Sequence, residues 1–450
     1  MADFRFPRAV PETVGIHSAG IEQFIHKADG LGQFLHSLMV LRHGQVAAEA
    51  WWSPYQSSYK HAVYSLTKSF TSSAIGIAAH EGLLNIEDLV VSFFPEYLTQ
   101  AIPDLLGRLT VRYLLMMAAG QDEDANQAML QQPDGDWAAA FFGIPVTHEP
   151  GTRFIYNSGA SYMLSAIVQR AAGQSMEQYL QTRLFEPLGI TDYEWASCPR
   201  GKTVGGWGLK LRTEDTAKFG QLYLQRGWWN GRSLIPEAWV DEASTFHVET
   251  GTEPDHQWHQ GYGYQFWLCR SGAYRADGAF GQMAIVLPHL DAVVVFTAGS
   301  QHTELLLNTV WDQLLSAFTD QPLPPAPANH ASLQRTLAAL SYPPAQGSNV
   351  PTPMEWTGKV YRFPPNPVLE TLQINDDGQD RLQLLVTGEQ GIHRLTYGRG
   401  AWLAVTSSLF NYSGVQGASS ICGPLMPGWM TTRWSCCISA EKHHSITGSN

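Results

Sequence analysis

The chain has 450 residues, of which 44% are hydrophobic and only 15% are charged. This composition excludes a disordered chain, and the length favours two or more domains, because a single hydrophobic core rarely grows beyond about 250–300 residues. The net charge is −12 and no run of five basic residues occurs, which argues against nucleic acid and anionic membrane surfaces as partners.

The amino-terminal stretch MADFRFPRAVPETVG has no apolar core and so is unlike a secretory signal. No segment carries the ~20 apolar residues that span a bilayer, so a cytoplasmic location is expected. The five cysteines match neither a disulfide framework nor a CxxC metal pair. They are Cys198, Cys269, Cys422, Cys436 and Cys437.

The first predicted elements are two strands in residues 35–52, joined by a His-Gly turn. The segment SLTKSFTSSAIGIAAH then predicts a helix from Ser65 to His80. Gly82 follows as a natural stop, because glycine readily adopts the left-handed conformation that ends helices.

Residues 83–200 are predicted to form a mainly helical subdomain. Asn85 and Thr110 each precede a helical stretch in the position of an N-cap. Ser175 and Gln178 have the spacing of a capping box.

The pattern changes after residue 205. A capped helix is predicted from Thr213 to Gln225, and the aromatic segment GYGYQFW follows at 261–267. Strands are predicted at 282–288 and 292–299, and an amphipathic helix at 303–318 closes the first domain.

Three regions are predicted along the whole chain. Residues 1–320 form the first domain, residues 321–353 a proline-rich linker around a short helix, and residues 354–450 a small β-rich accessory domain. Short alternating segments and an Asp377-Gly378 turn indicate the accessory domain. Towards the carboxyl end no period is clear, and no element is predicted there.

The segment YSLTKSF places Ser65 and Lys68 three residues apart at the start of a predicted helix. One helical turn brings the two side chains to the same face, so the amine can reach the hydroxyl. A partly desolvated lysine is a usable base, because burial disfavours its charged form.

The same spacing occurs twice more, at Ser57-Lys60 and Ser439-Lys442. Spacing alone therefore leaves two interpretations open, a catalytic pair and a serine that merely starts a helix. The context favours Ser65, because only this serine precedes a long apolar helix with two strands just upstream.

Two further stretches carry candidate residues. Tyr156 and Ser158 lie on a turn before a predicted helix, where a phenol could relay protons, although a tyrosine packed at a turn is the simpler interpretation. Gly278 and Gly281 precede a predicted strand and permit close approach of a substrate to backbone N–H groups. One such group could form an oxyanion hole with the N–H of Ser65, or the glycines could simply make a hairpin turn.

Together these features resemble the serine β-lactamase-like superfamily. That superfamily includes class C β-lactamases, D-Ala-D-Ala carboxypeptidases, family VIII esterases and 6-aminohexanoate-dimer hydrolases. The resemblance covers about residues 10–320 and implies an α/β fold, an antiparallel sheet flanked by helices with an inserted all-helical domain. It rests on the ordered stretches LRHGQVAAEAWW, YSLTKSF, HEGLLNIEDLVVSFFPEY, YNSGASYML, GGWGLKLRTEDTAKFGQLYL, GYGYQFW and ADGAFGQ.

The resemblance also implies roles for individual residues. Ser65 would be the acylated nucleophile, Lys68 its base partner and Tyr156 the general acid/base. Ser158 stands where many members have asparagine, and Ala279 would supply the second oxyanion N–H alongside Ser65. Whether Lys68 or Tyr156 deprotonates the serine is left open.

The third motif departs from the family pattern, because it reads Ala276-Asp277-Gly278 where lactamases usually carry Lys-Thr-Gly or His-x-Gly. A cation there usually meets the carboxylate of a penicillin or a peptide terminus. Its absence favours the esterase and amide-hydrolase branch. Asp277 suggests a neutral or cationic substrate end, unless it is simply a turn residue.

The expected function is that of a metal-independent serine hydrolase without cofactors, which cleaves small esters or amides through an acyl-enzyme on Ser65. A β-lactamase or D-Ala-D-Ala-type peptidase would use the same parts, and a non-catalytic binding module is a third hypothesis. His256 and His259 lack a third ligand at matching spacing, so no metal site is expected. The accessory domain could shield the cleft or form a homodimer.

Overall fold

The computed structural model describes residues 4–97 and 102–344, and later short stretches. These stretches are 357–364, 369–376, 379, 381–388, 391–398, 401–403, 405–407 and 420–422. The chain divides into two compact units, Met1–Leu340 and Ser341–Asn450. Residues 321–340, predicted as part of the linker, therefore belong to the first unit.

The strands of the first unit are, in chain order, β1 (Leu35–Arg42), β2 (Gln45–Trp51), β3 (His61–Ala62), β4 (Glu194–Trp195), β5 (Leu209–Leu211), β6 (Trp228–Trp229), β7 (Arg232–Ser233), β8 (Trp267–Leu268), β9 (Tyr274–Gly278), β10 (Gln282–Leu287) and β11 (Ala292–Ala298). The α-helices are α1 (Ser18–Gly30), α2 (Thr67–His80), α3 (Val111–Leu115), α4 (Asn126–Leu130), α5 (Trp137–Gly143), α6 (Ser158–Ala172), α7 (Met176–Leu180), α8 (Thr213–Leu224), α9 (Glu237–Ala243), α10 (Thr303–Thr309) and α11 (Pro327–Ala339).

Shorter helical turns complete the first unit. The 3₁₀ turns are Pro11–Val14, Tyr64–Leu66, Val90–Phe93, Pro95–Tyr97, Leu106–Arg108, Arg270–Gly272, Pro288–Leu290 and Leu315–Ala317, and the π-helical turns are Gln181–Phe185 and Val310–Leu314.

A six-stranded antiparallel sheet forms the centre of the first unit, in the order β2-β1-β11-β10-β9-β8. β1, β10 and β11 are buried along their whole length, in keeping with their mainly apolar sequences. Helix α8 packs against these three strands. Gly220 of α8 allows this close approach, because an added Cβ would lie 2.7 Å from Val293 Cγ1.

A second group of helices consists of α1, α10 and α11, and α1 contacts both of the others. Helix α11 is fixed by Ser332 and Thr336, whose hydroxyls donate to Glu22 Oε1 over 3.0 and 2.6 Å. These hydrogen bonds explain why the chain beyond residue 320 remains with the first unit.

The inserted helical region is present, with α6 packed against α2, α3, α5 and α7. The predicted capping box forms at the start of α7, where Ser175 Oγ accepts the Gln178 N–H. The prediction of a helix after Asn85 is wrong, because residues 86–94 contain only the 3₁₀ turn Val90–Phe93. Asn85 Oδ1 instead accepts the N–H of Glu87 in a local turn, which competes with helix formation.

Two other predicted helices differ in detail. The helix expected from Ser65 starts as the 3₁₀ turn Tyr64–Leu66 and becomes α-helical at Thr67. The helix expected at 303–318 is divided into α10, the π-helical turn Val310–Leu314 and a final 3₁₀ turn.

The described part of the second unit is β-rich, as predicted. Its strands are β12 (Val360–Arg362), β13 (Thr371–Asp376), β14 (Arg381–Gly388), β15 (Gly391–Gly398), β16 (Val405–Ser407) and β17 (Ser420–Cys422). Strands β12–β15 form an antiparallel sheet in sequence order around a small apolar cluster, and β16 pairs with β17. The predicted Asp377-Gly378 turn, Cys436 and Cys437 lie outside the described residues.

Among the helices that the structure describes, none is both long and apolar enough to cross a membrane.

Candidate active site

Ser65 lies in the middle of the 3₁₀ turn that leads into α2, and Lys68 is the second residue of that helix. Helix α2 is buried continuously from Thr67 to Ala78, so its first turn is held firmly in the interior. Lys68 is itself buried, whereas Ser65 is half-buried. The pair therefore combines an accessible hydroxyl with an enclosed amine.

Lys68 Nζ has three polar neighbours. It lies 3.2 Å from Ser65 Oγ, 3.2 Å from Ser158 Oγ and 2.7 Å from the carbonyl oxygen of Gly206. A neutral amine has two N–H donors and one lone pair. If the carbonyl of Gly206 and the hydroxyl of Ser158 accept the two N–H groups, the lone pair is left to face the Ser65 hydroxyl.

Burial lowers the pKa of Lys68 from its ordinary 10.5 to about 8, against an opposing effect of the Asp124 charge. The cause is desolvation, because the charged ammonium loses its water without gaining a carboxylate in contact. A substantial fraction of the lysine is therefore neutral in mildly alkaline solution, as a proton acceptor must be.

Tyr156 comes from a distant part of the sequence, immediately before α6. Its phenol lies beside the Ser65 side chain, and the centroid of its ring is 4.9 Å from Lys68 Nζ. The ring also stacks on the indole of Trp267, with 5.8 Å between centroids and 17° between planes. Burial raises the pKa of Tyr156 well above its usual 10, so the phenol keeps its proton at neutral pH.

The start of α6 is held by two side chains. Asn157 Oδ1 accepts the N–H of Ala160 over 3.1 Å, and Asp124 Oδ1 accepts the N–H groups of Ser158 and Gly159 over 2.7 and 3.3 Å. These caps satisfy amide groups that have no partner inside the helix. They also fix Ser158 beside Lys68.

The third motif lies against the turn that carries Ser65. Gly278, the last residue of β9, touches the chain before Ser65 so closely that an added Cβ would lie 2.2 Å from the carbonyl oxygen of Val63. Ala279 follows and is exposed. In the described part of the chain, neither the Ser65 N–H nor the Ala279 N–H has a protein acceptor.

Asp277 is half-buried and forms an ion pair at the end of β9. Its Oδ2 accepts hydrogen bonds from Arg275 Nε over 2.8 Å and from Trp258 Nε1 over 3.1 Å. Burial raises the pKa of Asp277, and Arg275 opposes this effect. Arg275 is itself buried, with its guanidinium carbon 5.0 Å from the Trp258 ring centroid and 6.0 Å from that of Trp267.

Sequence reasoning missed several of these partners. Arg275 could have been found, because residues two apart on a strand share a face. The carbonyl of Gly206 and the carboxylate of Asp124 carry no local signal, because folding alone brings them to the site.

His256 and His259 stack on each other at 4.0 Å, and His256 lies 3.6 Å from Glu304. Within the residues that the structure describes, no group of three His, Cys, Asp or Glu side chains could hold a metal ion.

A family model described as Beta-lactamase matches residues 31–317. The 6-aminohexanoate-dimer hydrolase of Paenarthrobacter ureafaciens is 24% identical over 282 residues, which covers 58% of this chain and 71% of that protein. The monacolin J acid methylbutanoyltransferase of Aspergillus terreus is 27% identical over 151 residues, which covers 28% of this chain but only 36% of the transferase.

Two solved structures show the same fold. The octameric penicillin-binding protein homologue from Pyrococcus abyssi has a TM-score of 0.53 and 17% identity, over 90% of this chain and 94% of the homologue. EstCE1, a hydrolase with promiscuous acyltransferase activity, has a TM-score of 0.52 and 16% identity, over 65% of this chain and 98% of EstCE1.

Proposed function

The chain belongs to the Beta-lactamase family, and from this premise we propose that it is a serine hydrolase that cleaves small esters or amides through an acyl-enzyme on Ser65. One observation carries the proposal. Ser65, Lys68 and Tyr156 meet in one site although they come from the entrances of two different helices. The similarity to a 6-aminohexanoate-dimer hydrolase and to the hydrolase EstCE1 supports it.

In the acylation step, neutral Lys68 takes the proton of the Ser65 hydroxyl while the serine oxygen attacks the substrate carbonyl. Two observations support this assignment of the base. Burial brings the pKa of Lys68 to about 8, and the carbonyl of Gly206 and the hydroxyl of Ser158 are placed to orient the amine. Tyr156 is a poorer base, because burial raises the pKa of its phenol.

The tetrahedral intermediate carries a negative charge on the former carbonyl oxygen. We assign its stabilisation to the N–H groups of Ser65 and Ala279, with Gly278 allowing the two chain segments to approach. Backbone donors that are already in place stabilise such charge without reorganisation during the reaction.

Collapse of the intermediate needs a proton on the leaving alcohol or amine. The neutral phenol of Tyr156 donates it and regains a proton from protonated Lys68. In the second step, water attacks the acyl-serine ester, its proton passes to the same pair of residues, and the Ser65 oxygen leaves and is protonated. The acid product and the free enzyme result.

The third motif bears on the substrate class. The buried cation at this motif, Arg275, is engaged by Asp277 and enclosed by tryptophans, so it is poorly placed to receive a substrate carboxylate. This arrangement supports a substrate with a neutral or cationic end over a penicillin or a peptide carboxyl terminus.

The test compares p-nitrophenyl butyrate, nitrocefin and D-alanine amide as substrates, together with labelling by a fluorophosphonate. We expect turnover of the ester and a covalent mass increase on the peptide that contains Ser65. Rapid hydrolysis of nitrocefin with negligible ester turnover would assign a β-lactamase instead. A protein that neither turns over a substrate nor takes up the label would be a binding module.

A further inference from the structure

Two residues with unfavourable backbone conformations flank the two oxyanion donors. Tyr64, immediately before Ser65, has a φ of +47°, and Phe280, immediately after Ala279, has a φ of +66°. Positive φ values are disfavoured for residues with a Cβ, because the Cβ approaches the following carbonyl oxygen. Such conformations persist only where neighbouring contacts hold them in place.

The side chains of these two residues contact each other. The rings of Tyr64 and Phe280 pack edge to face, with 5.4 Å between centroids and 69° between planes. This geometry is favoured for aromatic pairs, because the positive edge of one ring meets the negative face of the other. The contact joins the turn that carries one donor to the turn that carries the other.

The Phe280 side of this contact is anchored to the sheet. The Phe280 carbonyl accepts the Ser300 N–H over 3.0 Å. The Ala279 carbonyl accepts Gln282 Nε2 over 2.9 Å, and the same amide group reaches the carbonyl of Ala298 on β11 over 2.8 Å. The second donor is thus fixed to the central sheet, and the ring contact can transfer that position to the Ser65 turn.

We propose that the Tyr64–Phe280 ring pair is a positioning device that sets the spacing between the oxyanion N–H groups of Ser65 and Ala279. Both are positioning residues, since they act through the backbone of their neighbours. The proposal rests on the proposed serine-hydrolase function. Oxyanion donors must lie about 2.7–3.1 Å from the oxygen of the transition state, so a small shift in their spacing is costly.

This role predicts a specific kinetic signature. The oxyanion exists in the transition state and not in the bound substrate, so misplaced donors lower kcat and leave KM nearly unchanged. Both rings are half-exposed and could instead form a wall for the substrate. A wall would change KM and the preference for acyl-chain length.

The experiment uses Tyr64→Leu, Phe280→Leu and the double variant, with p-nitrophenyl butyrate as substrate. Leucine keeps the Cβ and hence the backbone cost, but removes the aromatic edge. We expect each single variant to lower kcat about 10-fold with KM changed less than about twofold, and the double variant to be no slower than the slower single variant. Tyr64→Phe keeps the ring and should retain at least half of the wild-type kcat.

The matched control is Phe142→Leu, which breaks a similar edge-to-face pair with Phe94. The two ring centroids of that pair are 5.6 Å apart and the ring planes meet at 65°. It should leave kcat within about twofold. Inactivation by a fluorophosphonate, whose tetrahedral adduct also places an oxygen between the two donors, should slow in parallel with kcat in the Tyr64 and Phe280 leucine variants. The rising limb of the pH profile, which levels off above about pH 8, should stay in place, because Lys68 is untouched.

Multiplicative losses in the double variant, or losses confined to KM, would overturn the positioning role while leaving the hydrolase intact. A wild-type protein without ester turnover or fluorophosphonate labelling would instead overturn the proposed function. Phe280→Gly separates backbone strain from ring contact. Glycine relieves the strain, yet we expect it to be as slow as Phe280→Leu, and full activity in this variant would contradict the proposal.

Discussion

Two serine–lysine pairs of identical spacing lie eight residues apart in this chain, and their surroundings differ. Lys60 of the first pair contacts the carboxylates of Asp192 and Glu194 at 2.6 and 3.0 Å. Among the residues that the structure describes, the hydrogen-bond partners of Lys68 in the second pair are hydroxyl groups and a backbone carbonyl. The spacing is the same in both pairs, so the groups that surround the lysine amine distinguish them.

The protonation of the two lysines follows from this difference. Burial lowers the pKa of Lys60, but hydrogen bonds and charges from Asp192 and Glu194 outweigh burial, and the net pKa is raised. In the part of the chain that the structure describes, no carboxylate contacts Lys68 to offset its burial, and its pKa falls to about 8. A carboxylate partner thus keeps one lysine charged, whereas the other loses its proton more readily, as the proposed base requires.

The strongest test of this contrast exchanges the two serines for alanine, one at a time. Ser65→Ala should lower the turnover of p-nitrophenyl butyrate by at least about 10³-fold, because no covalent intermediate can form. Ser57→Ala, in an exposed turn, should keep the wild-type rate. Circular dichroism checks that both variants fold, and an unchanged rate in Ser65→Ala would remove this serine from the mechanism.

The two lysines allow a second comparison, with methionine as an uncharged side chain of similar length. Lys68→Met should lower kcat/KM by about 10²–10⁴-fold, as expected for the loss of a general base. Lys60→Met should lower stability slightly, by about 0–1 kcal/mol, because its ion pairs are partly exposed. Steady-state kinetics and thermal melting measure the two effects, and equal losses of activity would end the distinction between the pairs.

A smaller effect is expected for the tyrosines, because Tyr55-x-Ser57 repeats the spacing of Tyr156-x-Ser158. Tyr156→Phe should lower kcat about 100-fold by removing the proton donor for the leaving group. Tyr55→Phe should have little effect on kcat, since the ring of Tyr55 stacks on His36 at 3.9 Å, whereas the ring of Tyr156 lies beside Lys68. The effect of Tyr156→Phe should shrink for esters with good leaving groups, and its absence for alkyl esters would contradict the assigned role.

The smallest effect concerns pH. If neutral Lys68 is the base, kcat/KM should rise about tenfold per pH unit and level off above about pH 8. The charge of Asp124 raises the pKa of Lys68, so Asp124→Asn should move this limb to lower pH while the amide oxygen keeps the cap on α6. A limb that moves to higher pH would show that Asp124 does not act on the pKa of Lys68 through its charge.

Local patterns were enough to predict much of the fold. The hairpin of β1 and β2, the central strands β10 and β11 and the capping box at Ser175 follow from residues that lie within a few positions of one another. The pattern after Asn85 wrongly predicted a helix. The Asn85 side chain accepts a hydrogen bond from the Glu87 N–H, and this local turn competes with a helix formed by the same residues. The carboxyl-terminal end of the first unit could not be predicted either. It depends on contacts between α11 and α1, two helices that lie far apart in the chain.

The candidate site divides in the same way. Sequence alone determined that a serine and a lysine share one face of a helix entrance, because helical geometry relates residues three apart. Only the tertiary structure decided that this lysine is buried without a carboxylate in contact, that Tyr156 reaches its serine, and that Asp277 is engaged by Arg275. Desolvation and charge pairing depend on what surrounds a side chain in space, and chain order does not specify those neighbours.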